Sequence, residues 1–198
     1  MRLFLAFTPP PQIINDLGRL QLTLKKQLPS VRWVCKKNLH LTIEFLGNIE
    51  EKLLPQLTSS LQKAAQESPP VILKISQITV IPSTSNPRVL ALKVLDLSAP
   101  NFQNLRKNIR SELKPLGIKL KRPKPPHLTL GRFKTRHSIN WAPLHITPTV
   151  WRTVSFTLFQ SRLTPKGPIY FTHDIYSTYH FSYTSKLKQA WQKSHIML

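Results

Sequence analysis

His40-Leu41-Thr42-Ile43 and His127-Leu128-Thr129-Leu130 are one short pattern written twice, a histidine and a threonine two residues apart in an apolar run. Side chains alternate between faces along a β-strand, so His40 shares a face with Thr42, and His127 with Thr129. The leucines and Ile43 occupy the opposite, core-facing side. Brought together, two such faces would hold two imidazoles and two hydroxyls around one small anion. Imidazole titrates near pH 6.5, so one ring can accept a proton while the other donates one. Threonine hydroxyls can hydrogen-bond phosphate oxygens without adding charge. The chemistry implied is acid–base catalysis at a phosphate.

Other catalytic sets are missing from the sequence. The remaining histidines form no His-Glu-x-x-His pair, and the one cysteine, Cys35, cannot build a cysteine-based zinc site, so no metal is expected. Glu44, Glu50 and Glu51 lie near the first motif with no counterpart near the second, which argues against paired-carboxylate catalysis. Glu44 has the parity of His40 and Thr42; it either lines the rim of the cleft or forms a surface ion pair. No glycine-rich phosphate loop occurs, and no cofactor is expected. Arg132 follows His127 by five residues. A regular strand would point it away from the catalytic face, and only a bulge would return it to the phosphate.

The elements that must carry these motifs also come twice. Arg2–Phe7 reads as a strand. A helix begins at Pro10 or Pro11, where a missing N–H costs little, and runs to about Gln27 with Ile13, Leu17, Leu20, Leu24 and Leu28 on one face. Val31–Val34 and Leu39–Phe45 follow as strands, Glu50–Glu67 as a helix, and Val71–Ile81 as a long strand. The order restarts with strand Val89–Val94 and a helix over Asn101–Leu116. A basic, proline-rich stretch over Lys119–Pro126 then leads into the second motif. His40 lies 35 residues after Leu5, and His127 lies 35 after Leu92. The repeated order points to a duplicated β-α-β unit, over about 1–86 and 87–178, within one bilobal domain. Residues 134–149 read as a loop, and Trp151–Ser161 and Ile169–Tyr176 as strands joined across Pro165-Lys166-Gly167-Pro168. Tyr179–Leu198 is a basic C-terminal extension without a counterpart, either an RNA-binding helix or a packed tail.

At 198 residues the chain suits one domain, and 40% hydrophobic content is enough for a core. Twenty-nine Lys and Arg against eight Asp and Glu give a net charge of +21, which calls for a polyanionic partner such as nucleic acid. No apolar run approaches the ~20 residues of a membrane span. The apolar start ends at Thr8-Pro9-Pro10-Pro11 and reads as a strand rather than a signal peptide. The lone cysteine fits a reducing cytoplasm.

These residues resemble the two-histidine phosphoesterases, in particular the bacterial and archaeal RNA 2′,3′-cyclic phosphodiesterases, also called 2′-5′ RNA ligases or LigT-like proteins. The likeness runs through Met1-Arg2-Leu3-Phe4-Leu5-Ala6, Val31–Val34, Asn38-Leu39-His40-Leu41-Thr42 and Phe45-Leu46-Gly47. It continues through Pro87-Arg88-Val89-Leu90, Pro126–Arg132, Ser161-Arg162-Leu163 and Gly167-Pro168-Ile169-Tyr170. The resemblance implies an α+β fold of two pseudo-twofold-related lobes, with antiparallel sheets lining a central cleft and helices outside. It implies metal-independent hydrolysis of RNA 2′,3′-cyclic phosphate ends to 2′-phosphomonoesters. His40 would be the general acid and His127 the general base, with Thr42, Thr129 and Arg132 binding substrate. The expected partner is RNA or a nucleotide with a cyclic phosphate end, met by a cytoplasmic monomer. The alternatives are 2′-5′ RNA ligation, the reverse reaction at the same site, and a non-catalytic RNA-binding protein.

Overall fold

The computed structural model describes residues 1–139, 145–165 and 167–178. Its elements are β1 (Arg2–Phe7), α1 (Pro11–Gln27), β2 (Val31–Trp33), β3 (Leu41–Asn48), α2 (Leu54–Gln66), β4 (Val71–Pro82) and β5 (Pro87–Asp96). They continue with α3 (Asn101–Leu113), β6 (His127–Phe133), β7 (Thr149–Thr153), β8 (Ser155–Thr164) and β9 (Gly167–Ser177). The C-terminal extension, Tyr179–Leu198, lies outside the described residues, as do Lys166 of the expected turn and residues 140–144 of the expected loop.

Pro11 opens α1 at a position where its missing N–H leaves no bond unmade. The expected helices from Glu50 and to Leu116 are shorter by one turn each. Tight 3-10 turns at Glu51–Leu53 and Lys114–Leu116 take those residues, the second closed by Gly117 at φ +70°. Short 3-10 turns at helix ends are a common way of meeting unsatisfied backbone groups.

The architecture is the expected α+β one. Among the described residues nine strands form one antiparallel sheet in the order β7-β4-β5-β6-β3-β1-β8-β9, with β2 on β6. The sheet has a waist between β3 and β6, where Leu41 opposite Leu128 is the paired position. Outward from the waist run β6-β5-β4-β7 and β3-β1-β8-β9, two matching halves. One half takes strands from both ends of the described chain, the other from its middle. The half bearing His40 is completed by β8 and β9, and the half bearing His127 includes β4 from before the second repeat.

Val154 alone separates β7 from β8, where the sequence suggests one unbroken strand. Those two strands are six steps apart in the sheet, about 29 Å if it were flat. A two-residue link reaches about 7 Å. The sheet must therefore curl until its β7 edge approaches β8.

Leu41 and Leu128 are fully buried at the waist, each contributing about 2 kcal/mol by burial. The core continues through Phe7, which pairs with Leu41 in β3 and meets the ring of Phe102 on α3 at 6.1 Å. Since Leu41 and Phe7 point away from His40, α3 packs on the face opposite the imidazoles.

Candidate active site

The two motif strands share a defect. Ala6 pairs with Thr42 and Leu5 with Glu44, so Ile43 is an extra residue in β3. Ala91 pairs with Thr129 and Leu90 with Gly131, so Leu130 is an extra residue in β6. Each strand therefore bulges immediately after its threonine, and two successive residues turn to the core: Ile43 with Glu44, Leu130 with Gly131. Alternation resumes with the opposite phase. Phe45 then faces as Thr42 does, and Arg132, paired with Val89, faces as His127 and Thr129 do, since Lys93, Ala91 and Val89 share a side of β5.

Strict alternation thus gives the wrong face for both Glu44 and Arg132. Glu44 turns inward, is 5% exposed, and holds Arg110 of α3 at 2.5 Å. It lines no cleft rim. Arg132 turns toward the histidines. Gly131 permits this arrangement because a Cβ there would lie 2.3 Å from Val31 and 3.1 Å from the Arg32 carbonyl, so β2 could not approach.

Across the waist the two motifs meet on one face. Each imidazole is held by the carbonyl two residues before it. His40 Nδ1 donates to the Asn38 carbonyl at 2.7 Å, and His127 Nδ1 to the Pro125 carbonyl at 2.9 Å. These bonds place the Nδ1 proton and leave Nε2 as the reactive nitrogen of each ring. The Thr42 hydroxyl lies 3.1 Å from His40 Nε2. Burial pushes the His40 pKa below the ordinary imidazole value; the positive charges of His127 and Arg132 push it the same way, against the Asn38 carbonyl.

An aromatic wall flanks His40. Phe4 lies 5.0 Å from the imidazole and Tyr170 stands edge-on at 5.3 Å; Phe159 and Phe45 close around Phe4 at 5.3 and 6.0 Å. Such rings stack with nucleobases of any sequence. Burial raises the Tyr170 pKa, and the charges of Arg132 and Arg2 oppose that rise. Lys93 pairs with His127 in register. The sequence reading missed Phe4, Phe159, Tyr170, Arg2 and Lys93 as a group. The parity of β1 puts Arg2 and Phe4 on one side, but nothing local says that β8 and β9 flank that strand.

The match to known proteins follows this geometry. The model of the LigT-like phosphoesterases covers residues 7–91 and 95–170. The chain belongs to that family. It is 32% identical to the RNA 2′,3′-cyclic phosphodiesterase of Methanocaldococcus jannaschii over 178 residues, covering 86% of this chain and 96% of the relative. It is also 32% identical to the protein of that name from Aquifex aeolicus over 180 residues, 86% of this chain and 93% of the other. A crystal structure from Thermus thermophilus superposes with a TM-score of 0.75 at 27% identity, covering 89% of this chain and 97% of that one. Escherichia coli LigT shares the fold, with a TM-score of 0.73 over 90% of this chain and 98% of its own. Membership makes the protein a phosphoesterase, an enzyme that hydrolyses phosphate esters.

In this phosphoesterase no three His, Cys, Asp or Glu side chains among the described residues gather as a metal-ligand set. No described helix is long and apolar enough to cross a membrane.

The direction of the His40 shift has a measurable consequence for stability. A folded-state pKa below 6.5 means that the unfolded chain binds the proton more readily than the native one. The His40 contribution is thus intact above about pH 6.5 and is lost as pH falls below that value toward the folded pKa. The urea midpoint of wild type is expected to fall relative to that of His40→Gln as the solution is acidified from pH 8 to 5. A constant difference across that range would refute the shift.

Proposed function

We propose that this phosphoesterase hydrolyses RNA 2′,3′-cyclic phosphate ends to 2′-phosphomonoesters without a metal ion. The observation that carries the reading is the pair of bulged His-x-Thr strands meeting on one face, each Nδ1 bound to a backbone carbonyl. The names of the relatives from M. jannaschii and A. aeolicus support the substrate class.

In this mechanism His127 Nε2 takes a proton from water, and the oxygen attacks phosphorus in line with the 3′-oxygen. The P–O3′ bond breaks, and His40 Nε2–H protonates the departing 3′-oxygen. Thr42 and Thr129 donate to the non-bridging oxygens, and Arg132 faces the negative charge that develops there. Burial disfavours the protonated form of His40, and the nearby His127 and Arg132 add to that. A bound phosphodiester brings a negative charge that opposes this shift and favours the proton the acid must give. The phosphate is thus part of what prepares its own leaving-group acid. Ligation would be the same displacement with the 5′-hydroxyl of a second RNA end in place of water: His127 takes the hydroxyl proton, the 2′-5′ diester forms as P–O3′ breaks, and His40 protonates the 3′-oxygen; water at its high concentration favours hydrolysis. The +21 charge suits an RNA chain as the substrate, and we place the enzyme in the cytoplasm as a monomer.

The test is incubation of chelator-treated protein with a nucleoside 2′,3′-cyclic phosphate in EDTA, with the product isomer identified by phosphorus NMR. The expected product is the 2′-phosphate at the untreated rate. A 3′-phosphate product, no product, or activity that returns only with a divalent ion would overturn the reading.

A further inference from the structure

Two polar side chains occupy helix positions that face the core. Gln21 lies one turn after Leu17 on α1, within the stripe that also buries Ile13 and Leu24, and is 5% exposed. Arg106 lies one turn after Phe102 on α3, between Leu105 and Ile109, and is also 5% exposed. Polar groups this deep are costly unless bonded. Both find backbone carbonyls, and the choice of carbonyls is not random.

Gln21 Nε2 donates to the Leu130 carbonyl at 2.9 Å and to the Val34 carbonyl at 2.8 Å. An amide nitrogen carries two N–H groups and so can serve two carbonyls at once. Arg106 Nε donates to the Ile43 carbonyl at 3.1 Å and Nη1 to the Lys124 carbonyl at 3.2 Å, while its guanidinium lies 4.7 Å over the Phe102 ring. Leu130 and Ile43 are the two bulged residues. Val34 and Lys124 lie on the segments that lead into His40 and His127. Each helix residue therefore joins the bulge of one motif to the approach of the other.

The bulges decide which side chains meet the substrate. With them, Phe45 and Arg132 face the cleft and Glu44 the core. A regular strand in either place would reverse this, because a one-residue slip exchanges the faces. Bonds to the bulged carbonyls hold the irregular form where it competes with regular pairing.

We propose that Gln21 and Arg106 are positioning residues of this phosphoesterase, which hold the bulges after Thr129 and Thr42 and thereby keep Arg132 and Phe45 on the catalytic face. The proposal rests on the cyclic-phosphodiesterase reading of the cleft. Methionine at position 21 keeps length and volume but donates nothing. Gln21→Met is expected to raise KM for a nucleoside 2′,3′-cyclic phosphate about tenfold, with a smaller change in kcat, the cost of a misplaced binding group. Arg132→Ala alone should cost as much. In the Gln21→Met background it should cost less than about twofold, because the arginine has already left its place. Arg106→Met is expected to lower kcat/KM about tenfold through the other motif.

The same cycle is read in the dissociation constant of inorganic phosphate, which needs no turnover. An inactive wild type would remove the reading of the cleft, yet the phosphate cycle would still judge the positioning role. Circular dichroism at the assay temperature checks folding. Should Gln21→Met fail to fold, Gln21→Asn, with the same amide one methylene short of the carbonyls, enters the cycle with the same expectation. Effects of Gln21 and Arg132 substitutions that simply multiply would mean that Gln21 stabilises the fold without placing Arg132, and the proposal would fall.

Discussion

His127→Ala and His40→Ala are each expected to lower turnover of a nucleoside 2′,3′-cyclic phosphate by about 10²–10⁴-fold, the usual contribution of one general acid or base. Neither ring supports the core. His40 and His127 are half-buried on the cleft face, while Leu41 and Leu128 carry the packing on the other. The folded state should therefore survive both changes, with near-native circular dichroism. The pH profile of kcat/KM separates the roles. A base must be unprotonated, so loss of His127 should remove the acidic limb from the residual activity. An acid must be protonated, so loss of His40 should remove the alkaline limb. The opposite pattern would exchange the roles. Turnover within about threefold of wild type in either variant would refute the mechanism, since that is far below what a proton-transfer group supplies.

The motifs, their strands and the helix between β1 and β3 are legible in the sequence because each is a local pattern. A continuous apolar run marks β1, two-residue alternation marks the start of β6, and the spacing of Ile13, Leu17 and Leu24 marks α1. The phase of alternation beyond each threonine is not local. It changes at Ile43 and Leu130, and the groups at those bulges, Gln21 and Arg106, come from helices far away in the chain. A signal was present nonetheless: Gln21 and Arg106 interrupt otherwise apolar helical stripes, as a polar residue with a structural duty does. The break at Val154 is illegible for a related reason. Thr149–Thr153 and Ser155–Thr164 are one continuous β-like run, and only the curled sheet assigns them to different places. The aromatic wall beside His40 depends on β8 pairing with β1 across most of the chain length, a contact no window of residues can report.

Glu44→Ala is expected to destabilise the fold by about 3 kcal/mol. Removing one partner of a buried ion pair leaves the other charge uncompensated, which costs about 3–5 kcal/mol, and Arg110 keeps 30% of its side chain in solvent, so the lower end applies. The loss does not stop at the pair. Arg110 also donates to the carbonyls of Lys121 at 2.9 Å and Leu120 at 3.4 Å, on the segment that runs into His127. Without Glu44 the guanidinium loses the anion that fixes it against β3, and that segment loosens with it. Arg110→Ala should therefore cost a comparable amount, and the double replacement Glu44→Leu with Arg110→Leu much less than the sum, because no charge is left stranded. Urea unfolding of the two alanine variants and of the double leucine variant makes the comparison. A Glu44→Ala loss below about 1 kcal/mol is what a surface ion pair would give. That result would mean Glu44 is solvated, and the bulge at Ile43 would no longer account for where it points.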